Sequence, residues 1–92
     1  MIDLHYLYLV RSMSEFDTEI DTSGMNCPLP VLKARKALAE MTVGQRLQLI
    51  VTDPGANKDI PAFCIMTGNI LLNTHETKGK IYFLLEKGKP HV

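Results

Sequence analysis

GMNCPLP, residues 24–30, stands directly before an amphipathic stretch and predicts where the first helix of this chain begins. The first four N–H groups of a helix have no partner within it, so a proline there loses no hydrogen bond, and its fixed φ suits the helix. Pro28 and Pro30 therefore indicate a helix start. If Pro28 is the first helical residue, Cys27 is the capping residue, and the positive end of the helix dipole favours its thiolate. The sequence thus predicts a nucleophilic cysteine after a loop that begins at Gly24.

The two cysteines predict neither a disulfide framework nor a zinc site, because no Cys-x-x-Cys pair is present. A reducing cytoplasm is the expected compartment. The alternative for Cys27 is a buried structural thiol, since free cysteine is among the most buried residue types. Cys64 falls among apolar residues of a predicted helix, which favours a core thiol that does not exchange sulfur.

Length and charge exclude several classes of protein. The chain has 92 residues, enough for one domain, and its ten Lys and Arg balance ten Asp and Glu, which argues against tight nucleic-acid binding. The apolar stretch Met1–Ser12 is shorter than the ~20 residues of a membrane span and lacks the basic start of a signal peptide, so no membrane association is expected. Residues 1–14 are predicted to be a poorly ordered extension or an extra strand, 15–89 a single domain and 90–92 a tail.

Hydrophobic periodicity predicts six elements. They are strands at Glu15–Thr22, Arg46–Thr52, Ile70–Glu76 and Ile81–Glu86, and helices from Cys27 to Met41 and from Asp59 to Thr67. The first strand alternates acidic residues on one side with Thr18, Ile20 and Thr22 on the other. In the second strand Leu47, Leu49 and Val51 form an apolar inner face, and the first helix has an apolar stripe that includes Val31, Ala34 and Leu38. Gly44 is the expected stop signal of the first helix, and Lys78-Gly79 is a hairpin signal. Strand, helix and strand joined by short links predict a parallel pair. The expected fold is an α/β two-layer sandwich of order βαβαββ, with two helices packed on one face of a four-stranded mixed sheet.

Three sequence features together resemble the TusA (SirA-like) family of sulfur carriers. They are Cys-Pro-x-Pro after a glycine loop, an arginine eight residues beyond the cysteine, and Asp53-Pro54 followed by Asp59-Ile60-Pro61-x-Phe63-Cys64. The resemblance covers about Thr18 to Gly88 and implies the βαβαββ fold. It also implies a small cytoplasmic protein, monomeric when free, which takes sulfur from a cysteine desulfurase as a persulfide and passes it to a downstream relay protein. In the best-known branch the sulfur reaches 2-thiouridine in tRNA. No cofactor or metal is expected.

The positions that correspond to the family's motifs are Cys27, Pro28, Pro30, Arg35, Asp53, Asp59 and Pro61. The resemblance implies that Cys27 carries the persulfide and that Arg35, Asp53 and Asp59 are candidates for partner binding. Arg35 lies about 12 Å from Cys27 along the helix axis, too far to pair with the sulfur, and the alternative is an arginine that extends over the core. The alternatives for Asp59 and Asp53 are a helix N-cap and a turn residue.

Two other functional classes remain open at this point. One is a noncatalytic binding or regulatory module, because this architecture is shared with nucleic-acid-associated domains. The other is a thiol redox protein of sulfur or selenium metabolism in which Cys27 and Cys64 act as a pair. A Cys-His hydrolase has little support, since His5, His75 and His91 lie far along the chain from Cys27. Whether the chain is an enzyme in the strict sense is left undecided by the sequence.

Overall fold

The computed structural model describes residues 16–89, and in them two helices cover one face of a four-stranded sheet. The elements are β1 Thr18–Thr22, α1 Leu29–Ala39, β2 Arg46–Val51, α2 Ala56–Thr67, β3 Ile70–Thr77 and β4 Lys80–Glu86. The strand order is β1-β2-β4-β3, with β1 parallel to β2 and β4 antiparallel to both β2 and β3. The predicted α/β sandwich and its parallel first pair are confirmed.

The core lies between the inner face of the sheet and the two helices. Leu47, Leu49 and Val51 of β2 are fully buried, which confirms the inner face predicted from their alternation. Ala34 and Leu38 are the buried residues of the apolar stripe of α1. Ile60 and Phe63 are buried on the side of α2 that faces the core. Burial of this apolar surface from both helices in one cluster fixes how α1 and α2 sit relative to each other.

Strand β1 shows the predicted alternation along its length. Glu19 and Asp21 are exposed, whereas Thr22 faces inward and is fully buried. A buried hydroxyl needs a hydrogen-bond partner, and the Thr22 Oγ1–H donates to the backbone carbonyl of Ile50 at 2.6 Å. This bond ties the end of β1 to β2, next to the loop that carries Cys27.

Several boundaries of helices and strands differ from the sequence predictions. Helix α1 ends at Ala39 rather than Met41, so Gly44 is not its stop; Gly44, with φ +94°, lies in the turn that leads into β2. Helix α2 begins at Ala56, three residues before Asp59, and Pro61 is therefore inside the helix instead of in its first turn. Strand β2 ends at Val51, which leaves Thr52 in the loop.

The early start of α2 has a local cause. The Asp53 side chain accepts the Gly55 N–H at 3.1 Å, and the Asp53 and Pro54 carbonyls accept the N–H groups of Ala56 and Asn57, both at 3.1 Å. This Asx turn winds the chain into the helix before the proline is reached.

The hairpin predicted at Lys78-Gly79 is confirmed, with both residues at positive φ, 51° and 78°. The predictions for residues 1–14 and for the tail at 90–92 lie outside the described residues. Within residues 16–89, neither helix is long and apolar enough to cross a bilayer.

Candidate functional site

The loop between β1 and α1 is held at its start by Gly24. Its φ is +81°, a conformation that side-chain-bearing residues rarely adopt. The Gly24 N–H donates to Thr52 Oγ1 at 2.8 Å, and the Met25 N–H donates to the Thr22 carbonyl at 3.0 Å. The loop is thus fastened to the ends of β1 and β2. Thr52 is not among the predicted site residues, because a threonine at the end of a predicted strand gives no local signal of a partner 28 positions away.

Cys27 is exposed at the start of α1, but it is not the capping residue. The N-cap is Pro28, with Leu29 and Pro30 as the first helical residues, and the Cys27–Pro28 peptide bond is cis. The Leu29 N–H donates to the Asn26 carbonyl at 2.9 Å, so it is not available to the sulfur. The helix-start prediction is therefore right about the prolines and wrong about the cap.

Asp53 holds the backbone of Cys27. Its Oδ2 accepts the Cys27 N–H at 2.7 Å while its Oδ1 accepts the Gly55 N–H at 3.1 Å. The two bonds, that from Cys27 first, lower the pKa of the Asp53 carboxyl, because both favour its charged form. The turn role predicted for Asp53 is confirmed, and the structure adds a contact across 26 positions that fixes the backbone of Cys27 just before α1.

Asp59 contacts the sulfur itself. It is not an N-cap, since Gly55 has that position; it lies within the early part of α2, where its N–H donates to the Gly55 carbonyl at 3.1 Å. Its carboxylate oxygen Oδ2 accepts a hydrogen bond from the Cys27 Sγ–H. This contact could not be predicted from the sequence, because it depends on how α1 and α2 pack.

The carboxylates determine the protonation of the Cys27 thiol. The hydrogen bond to Asp59 raises the pKa of Cys27, and partial desolvation and the charges of Asp59 and Asp53 raise it further. The prediction that the helix start favours the thiolate is wrong for this arrangement, because it took no account of negative charge brought in from the neighbouring helix. Cys27 is an exposed thiol that donates a hydrogen bond.

The sulfur lies in a narrow cleft between the two helices and the loop after β2. Its lining residues are Cys27, Pro30, Val31, Asp53, Ala56 and Asp59. Within the part of the chain that the structure describes, no group of three His, Cys, Asp or Glu side chains is placed to hold a metal ion. The chemistry that these groups offer is that of one thiol with a proton acceptor beside it.

Two other predicted residues lie apart from this cleft. Arg35 is exposed and lines a separate groove with Phe63, Thr67 and Lys87, so the structure does not bring it to Cys27. Cys64 is only 3% exposed, and burial raises its pKa to about 11. The core position predicted for Cys64 is confirmed, and Cys27 and Cys64 are both free thiols.

Comparison with known proteins places the chain in a family. Residues 18–87 match the family model described as sulfurtransferase TusA. The chain belongs to the TusA family. The match includes both helices, all four strands and the complete Cys27 cleft.

Relatives of this TusA-family chain are named as sulfur carriers. A sulfur carrier protein TusA of Allochromatium vinosum is 52% identical over 75 residues, which are 82% of this chain and 99% of the relative. A sulfur carrier protein TusA of Pseudomonas entomophila is 38% identical and covers 77% of this chain and 89% of its own. These names support a sulfur carrier role.

A solved structure has the same fold. The crystal structure of a SirA-like protein from Desulfitobacterium hafniense superposes with a TM-score of 0.62 at 25% identity, covering 78% of this chain and 99% of the other. The two helices on a four-stranded mixed sheet are thus the architecture of a SirA-like protein.

Proposed function

We propose that this chain is a sulfur carrier that holds a persulfide on Cys27, receives the sulfur from a cysteine desulfurase and passes it to an acceptor protein. One observation carries the proposal: Cys27 is an exposed thiol in the Cys-Pro-x-Pro motif of a TusA-family chain. Its backbone is fastened by Asp53, so the sulfur is presented at a fixed place at the start of α1.

The proposed transfer needs no cofactor. The Cys27 thiolate attacks the terminal sulfur of the donor's persulfide; a Cys27 Sγ–S bond forms, the donor's S–S bond breaks, and the donor cysteine leaves as a thiolate that takes up a proton. The net reaction converts the donor's persulfide to a thiol and the Cys27 thiol to a persulfide, so no external oxidant or reductant is consumed. The second transfer repeats these steps with Cys27 as the leaving group and an acceptor thiolate as the nucleophile.

The rival redox reading, in which Cys27 and Cys64 form a pair, has less support. Cys64 is 3% exposed and its high pKa disfavours the thiolate that disulfide exchange requires. A noncatalytic module would leave the exposed thiol in its shaped cleft without a use. We further propose that the carrier works in the cytoplasm and that 2-thiouridine in tRNA is one endpoint of the sulfur.

A labelling experiment tests the persulfide assignment. Incubation with a cysteine desulfurase and L-cysteine is expected to add one sulfur atom to the peptide that contains Cys27, as read by mass spectrometry without reducing agent. Cys27→Ser should abolish the label, and the control Cys64→Ala, checked by circular dichroism for folding, should keep it. Labelling of both cysteines to the same extent, or of the Cys27→Ser variant, would contradict the proposal.

A further inference from the structure

Building on the sulfur-carrier function above, we propose that Asp59 is a positioning residue that holds Cys27 as a hydrogen-bonded thiol in the free carrier. We propose also that a partner activates this thiol by presenting a basic side chain to Asp59. The inference rests on the contact between the Cys27 Sγ–H and the Asp59 carboxylate, which the motif residues alone do not indicate.

Both members of the contact are anchored independently. The Cys27 N–H is bound by Asp53, which fixes the backbone from which the sulfur projects. Asp59 is next to Ile60, which is fully buried in the core, and the Asp59 N–H is bound to the Gly55 carbonyl. Because the two anchors belong to different elements of a packed core, the contact is a property of the fold and not of a freely moving side chain.

The charge around the sulfur is negative on two sides. Asp59 of α2 and Asp53 of the loop after β2 face Cys27, and the charge of each carboxylate favours the protonated form of the Cys27 thiol. Among residues 16–89, neither carboxylate forms an ion pair with a lysine, arginine or histidine. Lys58, next to Asp59 in sequence, is exposed, and Arg35 of α1 lines another groove. Within residues 16–89, the free carrier therefore places no cation on either carboxylate that would release the thiolate.

A partner can supply what the carrier lacks. Asp53 and Asp59 are both partly exposed, so a cation on a docked protein can reach them beside the sulfur. A lysine or arginine that binds the Asp59 carboxylate removes the acceptor of the thiol proton and neutralises the nearest negative charge, and both changes favour the thiolate. The proton of Cys27 then goes to the donor cysteine that leaves as a thiolate, so the exchange balances.

The hydrogen bond to Asp59 also protects Cys27 of the free carrier against oxidants and electrophiles. Thiolates, not thiols, react with oxidants and electrophiles, so a thiol held by a carboxylate reacts slowly until a partner docks. The partner that fits this surface is a persulfide donor with a basic side chain close to its reactive cysteine.

The first arm of the test follows the free carrier. The rate of alkylation of Cys27 by iodoacetamide is measured from pH 6 to pH 10 by mass spectrometry of its tryptic peptide. Asp59→Asn is expected to lower the midpoint of the profile; at pH 7 the rate rises about threefold per pKa unit, because the tenfold gain in thiolate is partly offset by lower nucleophilicity. Glu40→Gln removes an exposed carboxylate at the far end of α1 and is the matched control, with an unchanged profile expected. An unchanged profile for Asp59→Asn would overturn the proposal.

The second arm compares two sulfur donors. With 2-hydroxyethyl persulfide, a small donor that has no basic group, Asp59→Asn should accept sulfur faster than wild type, because the variant needs no cation to release its thiolate. With the cysteine desulfurase, wild-type transfer should slow as KCl is raised, and this salt dependence should be weaker in Asp59→Asn. Slower transfer to Asp59→Asn from both donors would overturn the proposal and point to a carboxylate that removes the proton during the reaction.

The two proposals fail in different ways. If no desulfurase delivers sulfur to Cys27, the proposed function fails while the alkylation profiles of the free carrier still report on Asp59. If Cys27 is labelled normally but Asp59→Asn leaves both the alkylation profile and the salt dependence unchanged, the carrier function stands and the role of Asp59 is wrong.

Discussion

At the scale of the residue, Cys27 combines exposure with protonation. Its sulfur is exposed to an approaching protein, yet the thiol donates a hydrogen bond to the Asp59 carboxylate, and this bond raises the pKa of Cys27. Asp53 has a different role, because it binds the backbone N–H and leaves the sulfur to Asp59. Asp53 thus positions the backbone of Cys27, and Asp59 favours the protonated, neutral form of its thiol.

The contact between Asp53 and Cys27 predicts a titration in acid. The two N–H bonds lower the pKa of Asp53, so its contribution to stability is fully present above the unfolded pKa of about 3.9 and is lost as pH falls through the lower folded value. In nuclear magnetic resonance spectra, the amide signals of Cys27 and Gly55 should therefore shift together with a midpoint below about pH 3.9.

Asp53→Asn is the control for this titration, because an amide keeps the size of the side chain and has no proton to gain. The shared shift of the two amides should vanish in that variant. Midpoints that differ between Cys27 and Gly55, or a midpoint at or above that of a free aspartate, would contradict the bidentate role of Asp53.

At the scale of the element, the sequence predicts those features of helices, strands and turns that depend on residues close together in the chain. The stripe of α1, the inner face of β2 and the hairpin at Lys78-Gly79 each follow from spacing or from turn chemistry within a few residues, and each is confirmed. The start of α2 was predicted wrongly at Asp59, because two local signals compete there. The Asx turn at Asp53 begins the helix early, and the helix then tolerates Pro61.

The candidate site was only half predictable for a related reason. Cys27 and its prolines are adjacent in the chain, and a motif can show them. The contact of Cys27 with Asp59 spans 32 positions and depends on the packing of α1 against α2. The preferences of single residues for helix, strand or turn do not predict such packing. The sequence does not show that the negative charge of Asp59 lies beside Cys27. The predicted direction of the Cys27 pKa shift was therefore wrong.

The β3–β4 hairpin allows a test of turn chemistry. Lys78 has φ +51° at a position of the turn where asparagine or glycine is favoured, because other L-residues lose energy in the left-handed region. Lys78→Asn is expected to raise the free energy of unfolding by about 0.5–1 kcal/mol in urea titrations. Lys78→Ala removes the same charge without relieving the backbone and should give no gain. Equal stabilisation by both substitutions would show that charge, not conformation, is responsible.

At the scale of the whole molecule, one core divides the two thiols into separate chemical roles. The packing that brings α2 against α1 places Asp59 at the exposed sulfur of Cys27, and the same helix buries Cys64 among apolar side chains. The fold thus keeps one thiol accessible and the other out of reach, although both are free. Global unfolding is the event that exposes Cys64, so its ionisation is linked to the stability of the entire domain.

That linkage predicts a loss of stability in alkali. The pKa of Cys64 is about 11 in the folded chain against 9.0 for a free thiol. A raised folded pKa stabilises the fold fully below the unfolded value, and this contribution is lost as pH rises from 9.0 to about 11, at roughly 1.4 kcal/mol per pKa unit. Cys64→Ala should be less stable than wild type at pH 7 because it leaves a cavity, but its free energy of unfolding should fall less between pH 8 and pH 11. Every other ionisable group is present in both proteins, so its contribution cancels in the difference. Urea titrations that give parallel pH profiles would mean that Cys64 ionises in the folded state at no cost.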